Sequence, residues 1–377
     1  MKPMKKKKIA VIGTRGIPAT YGGIEKHCED LYSLLSKMDY EITVYGRKYY
    51  LPNELKEYKS VKIKKIPVLN IKGLEAFIHS FISTILACFS DADILHFHAQ
   101  GPSIFTWIPR ILAPQKKIVF TCHGIDWQRD KWNMMGKTVI QLGELASAVF
   151  PHKKICVSEA LSEYYFKKYK TNTEKIVNGV DIKQKIDPGD CCEKFNLEKS
   201  NYIIFVGRMV PEKAPDILIK AFKSVSTENK LVIIGGNAGV DDYFSSIKEL
   251  AKDDKRIIFT DYLYQKDLQE LYSNALAYIS ASKLEGLPIT VLEAMSYALP
   301  IVLSDIPPHT EILKLNPASG ISFKTNDVKN CENAIEKILN TTTEKIENMG
   351  QNSINTVKDY FSWDKVANLT DETYQKL

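Results

Sequence analysis

The chain has 377 residues, 44% of them hydrophobic and 25% charged, with a formal net charge of +6. That is the composition of a globular protein, too long for one compact α/β unit and about right for two domains. It excludes a disordered chain and a fixed-period repeat, and the most apolar stretch, Phe77 to Phe89, is too short and too interrupted by His79 to span a bilayer.

Seven cysteines are an odd number with no C-x-x-C pair and no histidine at zinc spacing, so they read as reduced thiols. The start MKPMKKKKIAVIG passes from its charges into one short strand and a Gly/Pro loop without an apolar signal core, and a cytoplasmic protein is expected. Charge is unevenly spread. Residues 1–187 hold 30 Lys and Arg against 18 Asp and Glu, a balance of +12, and residues 188–377 hold 21 against 27, a balance of −6. The basic half is either solvated surface or a face for something anionic, such as a lipid surface, a lipid diphosphate or nucleic acid. No nucleic-acid motif accompanies it, so no nucleic-acid partner is expected.

In chain order, KIAVIG reads as a strand, TRGIPATYGG as turn chemistry and IEKHCEDLYSLLSK as a helix. Apolar runs at YEITVYG, VKIKKIPV, ADILHFH, KKIVFTCHG and KKICVSE follow, separated by helix-length segments. This alternation means a parallel sheet covered on both faces. After a Gly-, Pro-, Asp- and Lys-rich stretch over residues 176–201 the pattern restarts at NYIIFVGR and runs through LVIIGG, RIIFTDY, LAYISAS and PIVLSD. Two doubly wound domains are expected, with a boundary near residue 187.

In the first half, GTRGIPATYGGIE places Gly13, Gly16, Gly22 and Gly23 between strand and helix, where positive φ lets backbone approach a ligand. The spacing is not the dinucleotide fingerprint. His96 and His98 alternate on one strand face and read as satisfied core or loop histidines. TCHGIDWQRDKW concentrates His123, Asp126, Trp127, Arg129 and Trp132 in one loop after a strand. His and Asp there suggest a reacting centre, and Trp beside Arg suggests stacking on a sugar ring or contact with an anionic carrier, core packing being the alternative for the two Trp residues. No carboxylate cluster joins the histidines, and no bound metal is expected.

In the second half, FVGRMVPEKAPDILIKAF puts Arg208 at a strand end and Lys213 in the next loop, the edge where open α/β sheets bind ligands. A planar fork and a point charge together suit a diphosphate. SKLEGLPITVLEAMSYALPIVLSD sets Glu285 before a helix and Glu293 within it. Pro288 suits the first helical turn, and the N–H groups after Gly286 and Leu287 form an anion site with the helix dipole behind them.

These strings resemble the retaining glycosyltransferases of family 4, which have the GT-B fold: two Rossmann-like doubly wound domains with a cleft between them. E-x-G-x-P-x-x-x-L-E-A-M, G-R-x-x-x-x-K and N-G-V-D at 178–181 are similar to that family's second domain. G-x-x-x-x-Y-G-G-x-E and H-G-x-D-W-x-R-x-K-W resemble a subgroup of bacterial enzymes, often rhamnosyl transferases, of surface polysaccharide assembly. Leu284 departs from the Phe or Tyr of many members. The resemblance implies a nucleoside-diphosphate sugar as donor and a glycan or lipid-linked acceptor. By the same resemblance Arg208 and Lys213 bind the diphosphate, Glu293 the ribose, Glu285 the transferred sugar, His123 sits near the anomeric carbon, and Gly22 and Gly23 line the phosphate side. Residues 360–377 are expected as a last helix returning to the domain of residues 1–187, leaving 188–359 as the nucleotide-sugar domain. With no carboxylate nucleophile evident in the first half, same-face transfer is expected, with no tightly bound cofactor. A sugar-nucleotide epimerase or hydrolase of the same shape is the alternative. A lipid-linked acceptor would bring a reversible contact with the anionic inner membrane face, through lysines 5–8, Lys62, Lys64 and Lys65 beside Phe77–Phe89.

Overall fold

The structure, a computed structural model, describes residues 6–20, 22–68, 71, 74–129, 132–237 and 239–377. Lys5, Tyr21 and Lys131, which belong to segments named above, lie outside them. The chain divides into two units, Met1–Gly179 with Trp363–Leu377, and Val180–Ser362. The division at Gly179 precedes the expected boundary of 187 because the connecting segment is already bonded to the second unit. Lys183 N donates to Ser296 O at 3.2 Å, and Gly189 N and Cys192 N donate to one oxygen of the Glu270 carboxylate at 2.8 and 2.7 Å.

The first unit is an eight-stranded sheet of β1 (Lys7–Ile12), β2 (Tyr40–Arg47), β3 (Glu57–Tyr58), β4 (Val61–Ile66), β5 (Ile94–His98), β6 (Lys117–Cys122), β7 (Lys153–Cys156) and β8 (Glu174–Lys175). Their order across the sheet is β3-β4-β2-β1-β5-β6-β7-β8, parallel except for the β3–β4 pair. The expected strands are all present, and β3 and β8 are two-residue edge additions too short to show a period. Val11, Val119 and Val44 face the helix Gly23–Leu35 and the C-terminal helix Trp363–Gln375, whereas Ala10, Leu95 and Ile118 face the opposite core with Ala87 and Phe105. That two-sided burial is why these strands read as nearly continuous apolar runs.

The second unit holds β9 (Tyr202–Val206), β10 (Lys230–Ile234), β11 (Ile257–Asp261), β12 (Ala277–Ser280), β13 (Ile301–Ser304) and β14 (Gly320–Phe323) in the all-parallel order β11-β10-β9-β12-β13-β14. β9 is buried throughout. Strand order reverses beside the first strand of each unit, between β1 and β5 and between β9 and β12. Loops leaving such a pair at its carboxyl end part to opposite faces and open a crevice there. Both units are therefore Rossmann-like.

Candidate functional site: a diphosphate-type edge and a histidine-lined edge

On the second unit the loops after β9 and β12 bring three expected residues to the reversal point. Arg208 lies two residues beyond β9 and its guanidinium stands 3.8 Å from Glu212. Lys213 follows in a turn whose next residue, Ala214, takes a left-handed φ of 49° before Pro215 opens the helix Pro215–Ser224. The Lys213 Nζ donates to Glu285 Oε1 at 2.5 Å, with both side chains largely covered. Burial by itself pushes the Glu285 carboxyl up, but Lys213, His309 and a hydrogen bond from Ser282 outweigh it and hold the acid below its usual range. Glu285 is thus a carboxylate at neutral pH.

Gly286, Leu287 and Pro288 are buried and lead into the helix Ile289–Ser296. Pro288 caps this helix rather than occupying its first turn. Its φ of −74° comes with an extended ψ of 110°, and its carbonyl accepts from Val291 N and Leu292 N at 3.2 and 3.4 Å. The helix still begins at this edge, so its first N–H groups have no preceding carbonyl and carry the positive end of the dipole. Glu293 is partly buried on the next turn.

His309 was not singled out in the sequence. It lies in the first turn of the helix Pro307–Leu315 after β13, and its Nδ1 meets Ser304 Oγ and Ser304 O at 3.0 Å each. Its Nε2 is buried without a hydrogen-bond partner, and burial holds the ring down at about 4 although Glu285 pulls it upward. Ser304 Oγ also reaches Ser282 O at 2.6 Å, so one hydroxyl ties the loop carrying Glu285 to the next strand. The signal in SDIPPHTEIL is a His in the first helical turn after a strand end.

On the first unit the corresponding edge is lined by imidazoles. Gly13 has a φ of 105°, and a Cβ on it would come within 2.2 Å of His98 O, so the loop after β1 lies flush against the end of β5. That loop is held by carboxylates of the following helix: Arg15 N donates to Glu25 Oε1 at 3.1 Å and Ala19 N to Glu29 Oε2 at 2.7 Å. Gly22 and Gly23 start the helix, exposed, and Gly22 at φ 105° packs where a Cβ would strike Glu25.

His123, partly buried after β6, meets His98 ring to ring, with His98 Nδ1 2.9 Å from His123 Nε2. His98 Nε2 meets Tyr32 Oη at 2.6 Å, and Tyr32 Oη also reaches His96 Nδ1 at 2.9 Å. His96 completes the set with Tyr374 Oη at 2.6 Å and Thr121 Oγ1 at 2.7 Å. Burial drives His123 and His98 well below the usual histidine range, helped by neighbouring imidazoles, and holds His96 at about 3 and His27 at about 4. Read from the sequence as satisfied core or loop histidines, His96 and His98 are that and also the backing of His123.

The loop residues after His123 divide. Asp126 pairs with Arg129 at 3.1 Å and its N–H donates to Gln100 Oε1 at 3.0 Å. Trp127 is anchored, its Nε1 donating to Glu144 Oε2 at 2.7 Å. Glu144 is fully buried and also accepts from Lys168, Tyr164, Tyr169 and Gln100. Trp132 is partly buried against the start of the helix Met134–Val149.

Comparison with known proteins agrees with this geometry. The model for glycosyltransferase family 4 matches residues 21–184 and that for glycosyl transferases group 1 matches residues 193–356. The UDP-Gal:alpha-D-GlcNAc-diphosphoundecaprenol alpha-1,3-galactosyltransferase of Escherichia coli is 28% identical over 71% of this chain and 72% of its own. The O-antigen chain mannosyltransferase RfbU of Salmonella typhimurium is 29% identical over 49% of this chain and 50% of its own. Among solved structures, sucrose-phosphate synthase from Thermosynechococcus elongatus superposes with a TM-score of 0.80 at 18% identity, covering 98% of both chains. Anabaena HepE in complex with UDP-glucose gives 0.80 at 16% identity, covering 98% of this chain and 100% of its own. Consecutive matches to a family 4 domain and a group 1 domain, on two Rossmann-like units, identify the chain as a glycosyltransferase of the GT-B architecture.

Proposed function

We propose that the protein transfers a sugar from a nucleoside diphosphate to a glycan or lipid-linked acceptor with retention of anomeric configuration, in bacterial surface polysaccharide assembly. The observation that carries this is the Lys213–Glu285 pair just ahead of the helix Ile289–Ser296, with Arg208 in the same loop after β9, at the strand-order reversal of the second unit. Lysine has three N–H donors, so Lys213 can keep Glu285 while giving a second bond to a phosphate. Arg208 and the helix end supply the rest of the charge that a departing diphosphate needs, which is the contribution a divalent ion makes in other transferases. Glu285, held ionised, offers its second oxygen to a hydroxyl of the donor sugar. Glu293 takes the ribose hydroxyls.

Same-face transfer is favoured by how the first unit's carboxylates are engaged. Glu25 holds the Arg15 loop, Glu29 binds Tyr58 and Lys59, Asp126 faces Arg129 and Glu144 has five partners. None of these stands free to form a glycosyl ester. The leaving diphosphate then takes the acceptor proton, while neutral His123 orients reacting groups and Asp126, Trp127, Arg129 and Trp132 address the acceptor.

The test is a thermal-shift panel of uridine, thymidine and guanosine diphosphates. A ligand at a hundredfold its Kd stabilises by about 2.7 kcal/mol, so the matching base stands out. A panel with no shift, or a shift that survives Arg208→Ala unchanged, would overturn the donor assignment. With a sugar nucleotide, Glu293→Ala is expected to raise the donor KM and Glu285→Ala to lower kcat; donor consumed without acceptor would instead indicate the epimerase or hydrolase chemistry.

A further inference from the structure

We propose that His27, His98 and His123 form a binding site for one zinc-type transition-metal ion with an open fourth position, and that occupancy inhibits transfer by fixing His123. One ring nitrogen from each of the three lies within 4.8 Å of the others. They come from three elements: the helix Gly23–Leu35, the end of β5 and the loop after β6. Two nitrogens at the usual zinc bond length in a tetrahedral site are about 3.4 Å apart. His98 Nδ1 and His123 Nε2 stand at 2.9 Å, so half an ångström of opening admits an ion between them.

The nitrogens used and not used sort in the same way. His96 cannot join, because Tyr32 and Tyr374 engage its Nδ1 and Thr121 its Nε2. His98 has its Nε2 on Tyr32, which leaves Nδ1 to face His123. His27 Nδ1 is buried with no hydrogen-bond partner, and its ring stands edge-on to His123 with centroids 4.7 Å apart. A buried imidazole nitrogen with no hydrogen-bond partner is costly unless something fills its place.

The outer partners also fit. A ligating imidazole ordinarily gives its other N–H to an oxygen that fixes the ring. His98 has the Tyr32 hydroxyl for this, and the His27 ring interacts with the Asn178 amide, which gives the N-G-V-D segment a role. Three imidazoles with no thiolate or carboxylate suit zinc, cobalt, nickel or copper rather than magnesium or calcium. Arg208, Lys213 and Glu285, which carry the donor assignment, are on the second unit, so metal binding is tested independently of that assignment, whereas inhibition of transfer rests on the proposed function.

The experiment uses full-length protein, purified without a histidine tag and stripped with chelator, titrated with cobalt(II). A tetrahedral site gives strong visible absorption saturating at one ion per chain, displaced by zinc. Absorption no stronger than that of aqueous cobalt overturns the proposal without any mutant. Asn178→Ala should weaken binding by roughly 10–100-fold, and His27→Asn by at least as much, each checked for native circular dichroism. Unchanged cobalt affinity in a folded His27→Asn variant would also overturn it. In the transfer assay, micromolar zinc should inhibit the wild type, and chelator should restore full rate.

Discussion

Lys213 and Glu285 illustrate how a single contact ties stability to catalysis. Lys213 is the first of the groups holding the Glu285 carboxyl below its usual range, whereas burial works the other way. A depressed folded-state pKa contributes stability that is present above the unfolded value of 4.5 and lost as pH falls through the folded value. In Lys213→Ala the largest counterweight to burial is gone, so the Glu285 carboxyl is expected to move upward and its contribution to stability at neutral pH to shrink. Removing one partner of a covered pair costs about 3–5 kcal/mol. We therefore expect Lys213→Ala to melt several degrees lower at pH 7 and the gap to the wild type to narrow as pH is brought to 4. Parallel melting curves across that range would show that the pair carries no linkage. Transfer should fall by two to three powers of ten in both Lys213→Ala and Arg208→Ala, a loss of about 2.7–4 kcal/mol in the transition state; near-normal turnover in both would sink the diphosphate role. These residues were legible because strand-end cations and a helix-start string are written in consecutive positions. His27 and His309 were not. A histidine in a helical run carries no mark of what folds against it, and the three imidazoles become one cluster only when β5 and β6 are laid side by side.

At the scale of elements, the turns decide where each edge opens. Gly13 sits at positive φ with its α-carbon against His98 O, so β1 and β5 can be neighbours only if that loop has no side chain. Gly13→Ala adds both a strained φ and a clash with backbone that cannot swing away. We expect it to cost more than the 0.4–1 kcal/mol scale of tolerated glycine changes, about 2 kcal/mol or beyond, and to displace His98 and with it His123. A urea midpoint within error of the wild type would show that the loop relocates freely. Gly22→Ala should be milder for the fold, since its nearest atom is the tip of the flexible Glu25 side chain. The alternation of strands and helices was readable because most strands are buried on two faces and read as nearly continuous apolar runs, β4 with its lysines being the exception. The cap position of Pro288 was not: a proline fits the first turn and the cap almost equally, and the extended ψ of 110° that separates the two leaves no mark in the residue type. Nor was the anchoring of Trp127, which depends on Glu144 from the helix Met134–Val149 arriving beneath it.

Over the whole molecule, the charge split follows the structural division. The first unit holds 30 Lys and Arg against 19 Asp and Glu, a balance of +11, and the second 21 against 26, a balance of −5. The lysines expected to meet a membrane are largely engaged at home: Lys8 with Asp91 and Glu41, Lys62 with Glu41, Lys65 with the carbonyls of Pro52 and Asn53, and Lys64 over the Tyr45 ring. Attraction to an anionic leaflet therefore rests on the unit's net field rather than on a dedicated lysine clamp. The apolar share is clearer. Phe77 and Phe81 on the helix Leu74–Cys88 flank Phe105 yet stay exposed, as do Trp107 and Ile111 on the adjoining helix Trp107–Leu112. No helix among the described residues is long and apolar enough to cross a membrane. An attraction by net charge is screened beyond about 8 Å at physiological salt, whereas rings seated among headgroups are less sensitive to it. In sedimentation with vesicles, the protein should pellet with anionic lipid at low salt, detach as salt rises, and ignore neutral lipid. Phe81→Ser with Ile111→Ser should lower the bound fraction at every salt concentration without changing the steepness of its salt dependence, because the substitutions remove no charge. Protein that stays in the supernatant with anionic vesicles at low salt would mean that the basic unit is ordinary solvated surface and that the acceptor is met in solution.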